Sequence, residues 1–499
     1  MKPVVVTHQE YQESVLTRLR QYYSGSPLLL LREDWPLLAK FWITDLSGVT
    51  ALMRDSYGLR GPKPRDPSSM LRSFLLLLST KPEMSITGWV SELKRIPLYA
   101  ILSGFEPGCV PGIGTFYDFF ARLWNATSAN IRSPIQRRGP KSKKGRKGQK
   151  ADTSSPGRVK RLVNWMKRHS EKRTQLPIDR LFGLFQSEFL AVSATLGLLG
   201  DTKSLAVAGD GTPVETAAYP RSKPACNCRA QGLADCNHPR IYSQPDCDVG
   251  WDSSREKYFD GYHMYTLTAA NSPHDLPLYQ RLYPASRHDA VSFVLSSVEF
   301  MQRFTLGTVK RVLLDSAHDA KPIYDLLLDQ DINPLIDLNL RTSASPKAIR
   351  NLKVSYNGRP ICAAGLEMKH HGSDRARMVD KWLCPRMTGR TTHNCPTPCT
   401  TARYGKTCRT YRKDNPRLFT DPPRDSDQWN LLYKRRTSVE RTNKREKRDY
   451  KLQSGQHRSS RMWYMRTYGI MMCQHIDAWY VHRRTELEEL MPLFPHLSA

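Results

Sequence analysis

The chain has 499 residues, 39% of them hydrophobic, and its 76 Lys plus Arg against 47 Asp plus Glu give a formal charge of +29. That apolar content excludes a disordered protein and is enough for two or more packed domains, while the charge repels itself unless a polyanion is the usual neighbour, so nucleic acid is the expected partner. No apolar run approaches the ~20 residues of a spanning helix, and MKPVVVTHQEY has no charged region followed by a long apolar one; no membrane span and no secretory signal are expected, and the expected place is the cytoplasm, near the nucleoid.

Residues 1–130 read as a helical N-terminal domain. In DPSSMLRSFLLLLS, Asp66 stands as a cap and Pro67 at the first helical position ahead of an apolar run. After Gly112, Thr115 and Asp118 form a loose capping-box pattern leading into FYDFFARLW. Short helices separated by Gly and Pro suit a DNA-binding module and suit a plain packing domain equally. Residues 131–160 form a basic linker whose run RRGPKSKKGRKGQK has no acid; Lys143, Lys144, Arg146 and Lys147 read as an arm that grips phosphate, the alternative being a solvated tether.

From 161 to 345, short β-rich runs alternate with helices. SLAVAGDGTPVE reads as a buried strand ending near Asp210; YHMYTLTAA and LPLYQRLY read as strands and AVSFVLSSVEFMQRF as a helix. VKRVLLDSAHDAKPIYDLLLDQ reads as a strand running into a helix, and INPLIDLN as a further strand. This order predicts an α/β fold with a mixed sheet. Residues 346–425 contain ICAAGLEMKHHG and VDKWLCPRM, read as strands, and 426–499 end in RMWYMRTYGIMMCQHIDAW, a packing helix whose Met and His residues need no ligand role. Trp251 in VGWDSSREKYFDGYH is placed in the core in preference to a base-stacking role, and Asp252, Glu256 and Asp260 at the surface.

The cysteines cluster. Cys226, Cys228 and Cys236 with His238, and Cys384, Cys395, Cys399 and Cys408 with His393 nearby, each offer ligands for a structural Zn²⁺; reduced thiols in surface loops are the alternative. Either site would staple a loop and perform no chemistry.

Two acids stand where apolar strands stop, Asp210 after LAVAG and Asp315 after RVLL. A carboxylate there is held rigidly with its oxygens toward a cleft, as a hard cation requires, though turn-forming acids also occur at strand ends. In YKRRTSVERTNKREK, residues 433 to 447, a single helix would place Tyr433, Arg436, Glu440 and Lys447 at roughly 0, 300, 340 and 320°, within one sector of about 60°. An Arg–Glu pair at helical spacing explains Glu440 alone. A carboxylate for metal among cations and a phenol for phosphate explains all four.

That spacing, Tyr433-x2-Arg436-x3-Glu440-x6-Lys447, resembles the Y-R-E-K signature of bacterial insertion-sequence transposases of the DDE type. VAGDGTPVE and VLLDSAHDAKPIYD resemble the strands bearing that family's first and second aspartates, and DPSSMLRSFLLLL to VPGIGTFYDFFARL looks like its preceding helical domain. The resemblance implies a ribonuclease-H-like mixed-sheet core. It implies a β-rich insertion within the 125 residues (440 − 315) between Asp315 and Glu440. Asp210, Asp315 and Glu440 would bind two Mg²⁺ or Mn²⁺ ions and carry catalysis; Tyr433, Arg436 and Lys447 would contact DNA phosphates. Asp319 competes with Asp315 for the second place. The implied partners are double-stranded DNA, as terminal inverted repeats and as target, and a second copy of the chain on that DNA. The rivals are a non-catalytic DNA-binding descendant and a structure-specific nuclease.

Overall fold

The computed structural model describes residues 1–24, 29–124, 157–169, 175–218, 244, 246–339, 348–374, 376–388, 391–392, 395, 398–402, 405–424, 426–494 and 497–498. Lys143, Lys144, Arg146 and Lys147 of the expected arm lie outside them, as do Cys226, Cys228, Cys236, His238 and His393.

The N-terminal part is helical: α1 (His8–Tyr23), α2 (Trp35–Ile43), α3 (Ser47–Met53), α4 (Pro67–Thr80), α5 (Ile86–Arg95), α6 (Pro97–Ser103) and α7 (Ile113–Leu123). β1 (Leu30–Leu31) sits between α1 and α2. α4 starts as its sequence dictates, with the Asp66 carboxylate accepting from the backbone N–H groups of Ser68 (3.4 Å) and Ser69 (2.9 Å) behind Pro67. α7 differs from expectation. It begins behind Gly112 with no side-chain cap, so Thr115 and Asp118 lie inside the helix and form no capping box; burial of Phe116, Phe119 and Phe120 fixes it instead. α8 (Arg158–Arg168) begins before the expected end of the linker, and α9 (Asp179–Phe185) and α10 (Ala191–Thr195) join through one wide turn.

The central sheet contains β2 (Leu205–Glu215), β3 (Asp248–Asp252), β4 (Lys257–Ala269), β5 (Pro277–Pro284), β6 (Val309–Leu314) and β7 (Asn333–Ile336), with α11 (Asp289–Met301) and α12 (Lys321–Leu328) between strands. The order is β3-β4-β2-β6-β7, and β5 takes the outer edge of β4 beyond β3. β2 runs antiparallel to β4 and parallel to β6, and β6 parallel to β7, so the sheet is mixed as expected. β2 does not stop near Asp210: Gly211 to Glu215 continue the ladder opposite residues 261–265 of β4.

β3 had no clear pattern in the sequence. Its Trp251 is not core but 53% exposed, edge-on to the exposed Tyr258 at 4.9 Å. Its neighbour Asp252 is buried, not at the surface, and accepts hydrogen bonds from the N–H groups of Ser254 (3.0 Å) and Arg255 (3.3 Å). Alternation along the strand sends the two side chains to opposite faces.

The insertion is β-rich: β8 (Lys369–Asp374), β9 (Val379–Leu383), β10 (Met387–Thr388), β11 (Thr391–Thr392) and β12 (Thr407–Tyr411). β8, β9 and β12 form an antiparallel sheet around the buried Trp382, whose indole N–H donates to Thr410 Oγ1 at 2.9 Å. Of the expected zinc ligands there, Cys384, Cys395, Cys399 and Cys408 lie within the described residues. Among the described residues no three His, Cys, Asp or Glu side chains gather around a metal position; Cys408 sits on β12 with its Sγ 3.4 Å from Met368 Sδ.

The chain closes with α13 (Asp427–Tyr433), α14 (Thr437–Arg448), α15 (Ser460–His482), α16 (Arg484–Leu490) and β13 (Leu497–Ser498), which pairs in parallel with β1. α15 is buried on nearly every side, as a central helix must be when elements cover it all round. Gly469 lets α4 approach: a Cβ there would lie 2.5 Å from Leu78 Cδ1. His475 is fully engaged, with Ser193 Oγ at 2.7 Å and the Pro277 carbonyl at 3.0 Å. No described helix is long and apolar enough to cross a membrane.

Candidate active site

Strand pairing brings the first two acids together. Ala208 of β2 lies in register with Leu313 of β6, so Asp210 and Asp315, each two residues further along parallel neighbours, reach the same face at the same end of the sheet. Ala206, Ala208 and Leu313 on that face pack with Leu335, Trp429 of α13 and Val439 of α14. The two alanines let α14 lie close to the strand, and Glu440 follows Val439 directly.

The opposite face explains the glycines flanking Asp210. A Cβ at Gly209 would lie 2.9 Å from the Tyr265 hydroxyl, and one at Gly211 2.0 Å from Asp289 Oδ1 and 2.3 Å from His263 Nε2. The space behind the aspartate is therefore filled by Tyr265 and by the His263–Asp289 pair, whose Nε2 and Oδ1 are 2.9 Å apart. Asp289, at the start of α11, was not singled out in the sequence; only the two glycines hinted that something approaches β2 closely.

Electrostatics follow from this crowding. Burial and the negative charges of Asp315 and Asp289 push the Asp210 carboxyl from its ordinary 3.8 up to about 7. Burial also lifts Asp315 and Asp289, but hydrogen bonds and charge from His318 hold Asp315 below the ordinary range, and His263 does so for Asp289. A group raised in the folded state contributes stability that is full below 3.8 and lost progressively as pH rises through about 7. Asp210→Asn is therefore expected to raise the melting temperature of metal-free protein at pH 8, with the gain vanishing near pH 4, measured by thermal unfolding across that range.

The basic run does not form one helix. α13 ends at Tyr433, Lys434–Arg436 make a tighter turn, and α14 begins at Thr437, so uniform 100° spacing holds only within α14. Five of the run's cations fall into two groups. Arg435 bonds Asn271 Oδ1 (2.6 Å), Arg441 clasps both oxygens of Asp275 (2.6 and 2.7 Å), and Arg445 donates to the carbonyls of His274 (2.8 Å) and Asp275 (2.9 Å). These three dock α14 on the turn after β4. Arg436 and Lys447 instead feel the charge of Asp210: burial lowers both, but Asp210 is among the charges pulling each back up, together with Tyr433 and Glu440 for Arg436 and with Asp252 for Lys447. Glu440 lies between them, one turn from one and two from the other.

Glu440 itself is half-exposed and ion-paired, its Oε1 2.7 Å from Arg436 Nη2. Tyr433 stacks on Trp429 with ring centroids 4.3 Å apart, and its hydroxyl donates to the Leu314 carbonyl at 3.1 Å, beside Asp315. α14 is held at its far end by the buried Glu446, also missed in the sequence, which accepts from Gln280 Nε2 (2.5 Å) and Gln474 Nε2 (3.2 Å). Gln280 in turn lies 3.3 Å from Thr266 Oγ1, and Thr266 faces Asp210 across the ladder. Asp319 is buried and saturated by Arg417, by the Asn339 N–H (2.7 Å) and by the Tyr324 hydroxyl (3.2 Å), which leaves it no free oxygen face for a cation.

Two carboxylates in mutual repulsion, with a third carried on the covering helix, are a donor set that a divalent cation would neutralise and that oxygen-seeking ions suit. As the side chains stand, Arg436 occupies the place of a cation at Glu440, and no three described acids close around one point.

A comparison with protein families matches the transposase DDE domain to residues 203–474, from just before β2 into α15 and including Asp210, Asp315 and Glu440. A search of curated proteins finds no match.

Proposed function

The chain belongs to the transposase DDE domain family, and on that premise we propose that it cuts DNA at the ends of a mobile element and joins the freed ends to target DNA. What supports this reading is the convergence of Asp210 and Asp315 on one sheet face under α14, the helix that presents Glu440 between two cations sensitive to Asp210.

In this reading Asp210, Asp315 and Glu440 hold two Mg²⁺ or Mn²⁺ ions. When bound, such ions would polarise the attacking oxygen and stabilise the leaving one in an in-line displacement at phosphorus. The residues of the chain do the rest. Asp210 and Asp315 fix the site on rigid strands. Arg436 releases Glu440 and turns to a DNA phosphate. Lys447 presents a second phosphate contact. Tyr433 holds the end of β6 through Leu314 and offers its hydroxyl to phosphate only when that bond opens. Water opens the first phosphodiester bond, leaving a 3′-hydroxyl, and that hydroxyl then displaces a bond of the target. The second step conserves phosphodiester bonds and needs no nucleotide cofactor. Two ends must be held at once, so the working form on DNA is a homodimer, and the N-terminal helices with the basic arm supply further DNA contacts.

Each lost phosphate contact lowers the slope of log affinity against log salt by about 0.9. Lys447→Ala should lower it by about one, whereas Arg441→Ala, whose guanidinium is engaged with Asp275, should leave it almost unchanged; fluorescence anisotropy over a salt series reads both.

The deciding experiment gives the purified chain the DNA flanking its reading frame together with Mg²⁺ or Mn²⁺. Nicks with 3′-hydroxyl ends and strand-transfer products are expected. Binding without metal-dependent cleavage would identify a non-catalytic DNA-binding protein, and cleavage without joining a structure-specific nuclease.

A further inference from the structure

Behind the acid pair lie two linked polar side chains that the proposed chemistry does not use. His318, fully buried, follows Asp315 by three residues in a short 3₁₀ turn. Its Nδ1 is 2.5 Å from Asp315 Oδ1, and its Nε2 is 2.8 Å from the Tyr265 hydroxyl. Its ring is wedged against Tyr265 and Phe293, each with ring centroids 5.8 Å away. Tyr265 reaches this position because Gly209 has no side chain where the hydroxyl passes.

A carboxylate oxygen only accepts, so the Nδ1 facing Asp315 carries a proton and donates to Oδ1, while Nε2 is held by the Tyr265 hydroxyl. The Ala317 N–H donates to the same oxygen at 3.1 Å. Asp315 Oδ1 thus has two donors, while Oδ2 accepts no hydrogen bond from the described residues.

We propose that His318 is a positioning residue for Asp315: it holds one carboxylate oxygen from behind the sheet, so that the other stays aimed at the cleft shared with Asp210. Tyr265 and Gly209 complete the device, Tyr265 by holding Nε2 and so fixing the plane of the ring, and Gly209 by making room for the tyrosine. The inference rests on the reading of Asp315 as a metal ligand. It concerns orientation, so its effect falls on metal affinity before it falls on DNA binding. Partners that orient metal ligands typically matter by about 10- to 100-fold in affinity.

The test is Mn²⁺ binding to the intact protein, followed by electron paramagnetic resonance with and without duplex DNA, beside thermal unfolding and DNA affinity. His318→Phe keeps the ring packing and removes the donor; it should weaken Mn²⁺ binding about 10- to 100-fold with folding and DNA affinity intact. His318→Asn keeps a donor at the Nδ1 position and should remain within about threefold of wild type. Tyr265→Phe and Gly209→Ala, which leave the histidine in place, should each weaken binding by a smaller factor. If His318→Phe binds Mn²⁺ as tightly as wild type, or if His318→Asn is as weak as His318→Phe, the inference is overturned while the proposed function stands. Should His318→Phe unfold, unchanged Mn²⁺ affinity in both Tyr265→Phe and Gly209→Ala overturns it equally. If wild type itself neither binds Mn²⁺ nor cleaves DNA, the proposed function falls and takes this inference with it.

Discussion

Asp210→Ala is expected to lower metal-dependent DNA cleavage by about 10³-fold or more, a loss of about 4 kcal/mol of transition-state stabilisation, with DNA affinity nearly unchanged. The expectation comes from position. Asp210 feels the charge of Asp315 on the neighbouring strand, and its own charge is felt by Arg436 and Lys447 on the covering helix. Removing it takes away the acid that couples Asp315 on the strands to Arg436 and Lys447 on the helix. Removing a negative charge does not weaken attraction to phosphate, so a loss of cleavage with retained binding separates chemistry from recognition. Glu440→Gln should reproduce the loss, since a neutral amide is a poor replacement for a carboxylate ligand. Gel assays of nicking and of complex formation on the same DNA read both. Normal cleavage by Glu440→Gln would remove the third acid from the site.

The largest stability effect is expected at Arg417. Its guanidinium meets the buried Asp319 carboxylate through Nε (2.8 and 3.0 Å) and Nη2 (2.5 Å), and its backbone carbonyl accepts from Arg424 Nη1 at 2.5 Å. Arg424 continues inward to the Ile336 carbonyl (2.7 Å) and the Tyr324 hydroxyl (3.0 Å). These contacts fasten the end of the insertion to the loop that follows Asp315. Arg417→Ala strands a buried carboxylate and should cost about 3–5 kcal/mol, seen as a lower urea midpoint. The double variant Asp319→Asn with Arg417→Met leaves no buried charge and should recover most of the loss. If Arg417→Ala alone is neutral, Asp319 is not a buried anchor for the insertion.

These two residues also show where the sequence was legible. Asp315 and Asp319 are separated by four positions in VLLDSAHD, both near the end of an apolar strand, and nothing local distinguishes a ligand from an anchor. The distinction lies in Arg417, nearly a hundred residues away. The same holds for YKRRTSVERTNKREK, where three arginines of identical type are taken up by the turn after β4 while Arg436 and Lys447 feel the charge of Asp210. Spacing marked Tyr433, Arg436, Glu440 and Lys447 as a set. It did not show the turn that breaks the helix at 434–436, nor that Arg436 holds Glu440.

The sequence by itself determined the helical N-terminal part, the alternation of strands and helices in the core, the basic character and the family resemblance, because capping, period and residue spacing are local and survive reading in one dimension. Only the tertiary structure decided which faces meet. It placed Asp289, His263, Tyr265 and His318 behind the aspartates, turned Trp251 outward and Asp252 inward, and gave Gly209 and Gly211 their reason. A strand records that its side chains alternate, but what stands across from each face is set by packing partners far along the chain, and the pattern of one segment carries no record of them.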